Sequence, residues 1–111
     1  MVEPKLYETD HCIVLDVGEH FVFRIHPWVF RALKLRHKPL VFDLQQAQYL
    51  DGAGLGMLAL AQSRRSDLYI LNAQGVVSTT LDICKSQVTI PRFVAHPKLF
   101  NPRNLCKMRA G

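Results

Sequence analysis

The chain is predicted to fold as an α/β sandwich, with an N-terminal β-hairpin and a mostly parallel central sheet carrying helices mainly on one face. Two observations carry this. Leu40-Val41-Phe42-Asp43-Leu44 and Leu68-Tyr69-Ile70-Leu71 are apolar on both sides of the pleat apart from Asp43, the pattern of interior parallel strands covered on both faces. Segments with helical spacing separate and follow these strands, and alternating strands and helices build a parallel sheet through right-handed crossovers. At 111 residues there is length for one core and not for two.

Taken in order, Ile13, Leu15 and Val17 alternate, Gly18-Glu19 makes a turn, and Phe21, Phe23 and Ile25 alternate again, which reads as the hairpin. His26-Pro27 then starts a helix, because proline at the first helical position lacks only a donor that would be unpaired anyway. Val29, Phe30 and Leu33 share its apolar face, Arg31, Lys34 and Arg36 lie off it, and Pro39 stops it after about residue 37. After the first interior strand comes a polar stretch, residues 45–48. A second helix is expected over about residues 54–63, with Leu55, Leu58, Ala59 and Gln62 on its stripe and Arg64-Arg65 near its C-terminus, where positive charge complements the dipole. The second strand leads through Asn72-Ala73-Gln74-Gly75 into a third helix with Val77, Leu81 and Cys84 inward. A last extended piece, residues 88–94, contains Pro91 and so belongs at a sheet edge. The domain is assigned to residues 1–94. Residues 95–111 form a basic C-terminal tail, with room for one short helix.

Composition narrows the function classes. No apolar run approaches the roughly 20 residues that span a bilayer, and the polar N-terminus lacks a signal-peptide core, so a cytoplasmic location is expected. Cys12, Cys84 and Cys106 are odd in number and have no metal-ligand spacing, which favours reduced thiols. Fourteen Lys and Arg against nine Asp and Glu give a net charge of +5. The excess gathers at Arg31, Lys34, Arg36 and Lys38, and again from Arg92 to the end, where there is no acid. At this modest surplus a solvated face is the better reading than a nucleic-acid site. His11, His20, His26, His37 and His96 are scattered with no HxxxH or Cys-x-x-Cys spacing, so neither a metal centre nor a catalytic pair is indicated.

The stretch Tyr49-Leu50-Asp51-Gly52-Ala53-Gly54-Leu55-Gly56-Met57-Leu58 is the most informative. A turn rich in Asp and Gly feeds a helix N-terminus, whose amides and dipole favour a negative group. Asp51 as N-cap is the simplest occupant. Gly52-x-Gly54-x-Gly56 is also a weak fragment of a dinucleotide-binding fingerprint: the third glycine falls one position early, the first stands seven residues beyond the strand, and no acid follows at about 20 residues.

These residues also resemble a known family. Val41-Phe42-Asp43-Leu44, the stretch from Tyr49 to Leu58 and Leu68-Tyr69-Ile70-Leu71-Asn72-Ala73 with the helix to Cys84 resemble the STAS domain, shared by sulphate transporters and anti-sigma factor antagonists, over roughly residues 6–94. The resemblance implies a non-enzymatic module without cofactor or metal, docking a protein partner through the helix start. On that analogy the partner-binding residues are Asp51, Gly52, Ala53, Gly54, Leu55 and Met57. Asp51, Gly54, Leu55 and Gly56 keep the family pattern. In regulated antagonists the residue after the aspartate is a serine or threonine phosphorylated by a partner kinase; here that position is Gly52, followed by Ala53, and neither bears a hydroxyl. The site is therefore expected to lack the phosphorylation switch. Arg31 and Lys34 are a possible basic extension of the docking face.

Three readings stay open. The first is an antagonist-like signalling module that binds an anti-sigma factor or kinase-like regulator. The second is a small accessory subunit on the cytoplasmic ATPase of a lipid or anion transporter. The third is a nucleotide or anionic-ligand binder.

Overall fold

The computed structural model describes residues 3–94. Strands β1 (Lys5–Glu8), β2 (Ile13–Asp16), β4 (Leu40–Asp43), β6 (Leu68–Leu71) and β7 (Arg92–Phe93) form one sheet in the order β1-β2-β4-β6-β7. The β1–β2 pair is antiparallel and every other pair is parallel. Two short strands, β3 (His20–Phe21) and β5 (Tyr49–Leu50), make a separate parallel pair. The helices are α1 (His26–Lys34), α2 (Gly52–Arg64) and α3 (Gly75–Ile83). No described helix is long and apolar enough to cross a membrane.

Parallel register stacks equivalent side chains across the sheet, Ile13 beside Leu40 beside Leu68 and Leu15 beside Phe42 beside Ile70. These rungs form one core with Val29, Ala32 and Leu33 of α1, Met57, Leu58 and Ala61 of α2, and Val77 and Leu81 of α3. All buried apolar helix residues thus meet the same sheet face. The alternate strand positions Val14, Val41, Tyr69 and Leu71, with Cys12 just before β2, cluster on the opposite face, with Phe93 against them. Burial on both faces is why β4 and β6 read as unbroken apolar runs.

The N-terminal hairpin exists, but its strands are not the expected ones. Ile13–Asp16 pairs backwards with Lys5–Glu8, an edge strand whose exposed, charged side chains leave no apolar alternation to read. Phe21 instead pairs in parallel with Leu50, and Phe23–Ile25 is a 3-10 turn. In this segment Phe21 and Ile25 are buried and Phe23 is 63% exposed, a spacing of four that suits a helical turn and not a strand.

Helix α1 ends at Lys34, short of the expected position 37. Leu35 is extended and its N–H donates to the Ala32 carbonyl (3.1 Å). Its buried stripe is Val29, Ala32 and Leu33, while Phe30 turns outward. Helix α2 starts two residues earlier than expected, and its buried stripe is Gly54, Met57, Leu58 and Ala61 rather than Leu55, Leu58, Ala59 and Gln62. The helix is turned so that Gly54 faces the Phe21 backbone, with no room for a Cβ between them. Gln62 still works structurally: its Nε2 donates to the Gln87 carbonyl (2.6 Å) and its Oε1 accepts the Thr89 N–H (2.8 Å). In α3, Val77 and Leu81 face inward as expected, while Cys84 lies just beyond the helix and is half-buried. Pro91 precedes β7, the shorter-than-expected edge strand at the far side of the sheet. The tail assigned to residues 95–111, with Cys106 and His96, lies outside the described residues.

Candidate functional site

The site is built where β5 hands over to α2. Asp51 is the N-cap: its backbone is extended, its carboxylate accepts the Gly54 N–H (2.9 Å), and its carbonyl accepts the Leu55 N–H (3.0 Å). A negative group at this position also complements the dipole of α2. The expected contact residues then divide. Gly52 is exposed and Ala53 half-exposed, Leu55 is partly buried against the core, and Gly54 and Met57 face the core. A Cβ at Gly52 or Gly56 would meet no atom within 4 Å, so the outer face of the first two turns is open to a partner. Tyr49, 51% exposed, stands beside it with its ring edge-on to His20. Sequence reading passed over Tyr49 because β5 has only two residues and no periodicity to detect.

Gly52, Gly54 and Gly56 are all residues of α2, and that context does not suit a dinucleotide loop, whose glycines form the turn between strand and helix. The Asp51 carboxylate already occupies the helix start, and a phosphate there would meet like charge. A neighbouring groove of about 390 Å3 is lined by Glu19, Gln45, Gln46, Ala47, Gln48, Gln74, Gly75 and Val76. Its one charged side chain is an acid, so it offers no cation for an anion.

Arg31 and Lys34 are exposed on α1 and make no ion pair among the described residues. His26 lies against the Phe23 carbonyl (3.0 Å) and His37 against Glu8 (2.9 Å), so these histidines do not converge on one another.

At the carboxyl ends of β2 and β4, Asp16 and Asp43 lie side by side in register. Burial pushes the Asp43 carboxyl above the usual range; the Gln45 N–H (3.0 Å) and the Asn72 side chain pull against this, and the charge of Asp16 adds to it. A raised carboxyl in the folded state means that its ionisation costs stability at neutral pH, a cost relieved as pH falls through the folded-state value. Asp43→Asn keeps an acceptor for Gln45 and removes the charge. Its thermal midpoint is expected above the parent's at pH 7, with the gap closed near the ordinary Asp value of about 4; a lower midpoint at pH 7 would contradict this.

No protein-family model and no curated protein matches the sequence. Solved structures do match. The anti-sigma factor antagonist SpoIIAA in its unphosphorylated form superposes with a TM-score of 0.69 over 97% of both chains, at 11% identity. This chain has the STAS fold. The phosphorylated form of SpoIIAA, a Bacillus cell fate determinant, matches the same STAS fold with a TM-score of 0.64 at 11% identity, over 86% of this chain and 93% of that one. Near-complete coverage means that the STAS fold accounts for the order of strands and helices as a whole, not for a shared fragment. In this STAS-fold chain the turn from Asp51 to Gly54 is therefore the start of a helix laid on a mostly parallel sheet, with its outer side uncovered.

Proposed function

We propose that this chain is a non-enzymatic, cytoplasmic protein-docking module of the STAS family, antagonist-like, with its domain in residues 1–94. It holds an anti-sigma factor or kinase-like regulator through the outer face of the α2 start, with Asp51, Gly52, Ala53 and Leu55 as contacts and Gly54 and Met57 supporting them from the core. One observation carries the reading. Gly52 is exposed, its side-chain direction is open, and it bears no hydroxyl. The surface is accessible to a partner and has no acceptor for a phosphoryl group at that position, so docking is constitutive with respect to residue 52. A phosphoserine there would place about two negative charges beside Asp51; glycine leaves the single carboxylate that caps the helix.

Gly52→Asp tests the assignment, because the open space admits the side chain without disturbing the fold. With a partner recovered by cross-linking and titrated calorimetrically, the variant is expected to bind at least about tenfold more weakly, a change of about 1.4 kcal/mol, while its thermal midpoint stays near the parent's. An unchanged affinity in the folded variant would remove the α2 start from the interface. Recovery of a transporter ATPase in place of a signalling regulator would move the chain to the accessory-subunit reading with the same surface.

A further inference from the structure

A second surface lies on α1. Phe23, His26 and Phe30 fall at i, i+3 and i+7, one stripe running from the 3-10 turn along the helix. Their rings form a continuous ladder: Phe23 stacks on His26 with centroids 4.5 Å apart, and His26 meets Phe30 edge-on at 5.8 Å. The ladder faces solvent, with Phe23 63% and Phe30 36% exposed. An exposed aromatic row of this kind has no role in the core, which α1 meets through Val29, Ala32 and Leu33.

The segment of chain that carries the ladder has charge of one sign. From His20 to Phe42 there are five Lys and Arg residues, Arg24, Arg31, Lys34, Arg36 and Lys38, and no Asp or Glu. Lys34 continues the stripe one turn beyond Phe30, and Arg31 lies alongside. Lys38 is engaged by Glu8 (2.6 Å) and Arg24 by Glu3 (3.4 Å). Arg31 and Lys34 have no acid partner among the described residues.

We propose that this α1 face binds an anionic lipid surface peripherally. Aromatic rings settle at the boundary between headgroup and acyl chain, and flanking cations reach the lipid phosphates. The complement required is diffuse negative charge over an apolar layer, which an anionic bilayer presents. The residues that would make this contact lie on the 3-10 turn and α1, and none belongs to the α2 start.

Flotation of the full chain with vesicles tests it. Vesicles of phosphatidylcholine with a quarter phosphatidylglycerol are expected to carry the protein at low salt, and pure phosphatidylcholine vesicles to leave it behind. Each basic side chain near such a surface changes binding about fivefold, so Arg31→Glu with Lys34→Glu is expected to weaken it by about 25-fold or more. Phe23→Ser with Phe30→Ser is expected to abolish the binding that survives at 0.5 M salt. All four positions are exposed, and circular dichroism checks that the variants are folded. Three outcomes overturn the proposal: no flotation with anionic vesicles; flotation that both double variants leave unchanged, which would place the contact in another basic segment; or binding to polyglutamate without binding to vesicles, which would make the face a site for acidic protein.

Discussion

Gly54→Ala is expected to destabilise the domain by about 2 kcal/mol or more, a fall in thermal midpoint of roughly 10 °C. A Cβ at this position would collide with the backbone oxygen of Phe21 and lie 2.6 Å from the Leu50 side chain. Leu50 can shift a little; the Phe21 carbonyl belongs to the backbone of β3, which is held in register with β5. The methyl therefore has to push α2 away from the β3–β5 pair, opening the contacts of Met57 and Leu58 behind it. Against this stands the usual gain of about 0.5–1 kcal/mol when alanine replaces glycine inside a helix. Gly56 isolates that gain, since it lies two residues further along α2, on the opposite side of the helix, exposed, with open space where a Cβ would go. Gly56→Ala is expected to raise the midpoint by a few degrees. Opposite signs from two glycines two residues apart would be read directly by thermal melts. Equal shifts would mean that helix propensity, and not the approach to Phe21, sets the effect.

The second large effect is expected at Arg65. Its side chain is only 3% exposed and spends its donors inside the protein. Nε and one terminal nitrogen grip the Asp67 carboxylate at 2.7 and 2.8 Å, and the guanidinium also donates to the carbonyls of Leu35 (2.9 Å) and Lys38 (2.8 Å). One group thus fastens the end of α2, the segment after α1 and the entry to β4. Arg65→Met is expected to cost about 3 kcal/mol, because Asp67 is left partly buried without its cation and two carbonyls lose their donor. Arg65→Lys should recover only part of this, since an ammonium cannot match the forked geometry. Burial alone would raise the Asp67 carboxyl, but the hydrogen bonds and charge of Arg65 outweigh it and hold it below the usual range. A depressed carboxyl contributes stability that is present above its unfolded value and is lost as pH falls through the folded one. The gap between parent and Arg65→Met should therefore be widest near neutrality and narrow in acid; a gap independent of pH would show that the carbonyl contacts, and not the ion pair, supply it.

Arg65 also marks a limit of reading along the chain. Beside Arg64 at the end of a helix it resembles one half of a solvated basic pair, and Arg64 is indeed exposed. The partners that draw Arg65 inward at Leu35 and Lys38 are 30 and 27 residues away. The α2 stripe misleads for a related reason. Leu55 and Ala59 are more apolar than Gly54, yet Gly54 is the residue turned to the core, because the space there admits no side chain. Edge strand β1 and the two-residue strands β3 and β5 left no periodic signal, since short or exposed strands do not alternate. Within the candidate site, local chemistry sufficed for Asp51, which caps the helix as expected. The site was not legible where burial matters: Met57 looked like a contact residue and is packed in the core.

By itself, then, the sequence determined the elements whose cause is local. Unbroken apolar runs made the interior strands β4 and β6, proline placed the start of α1 and the edge position near β7, and Asp51 set the start of α2. Tertiary structure decided what depends on the distance between remote segments: which strand completes the hairpin, how α2 is turned about its axis, and which of two neighbouring arginines is buried. The physical reason is that capping and periodicity act over one or two turns, whereas close approach and desolvation are properties of surfaces that meet only once the chain has folded.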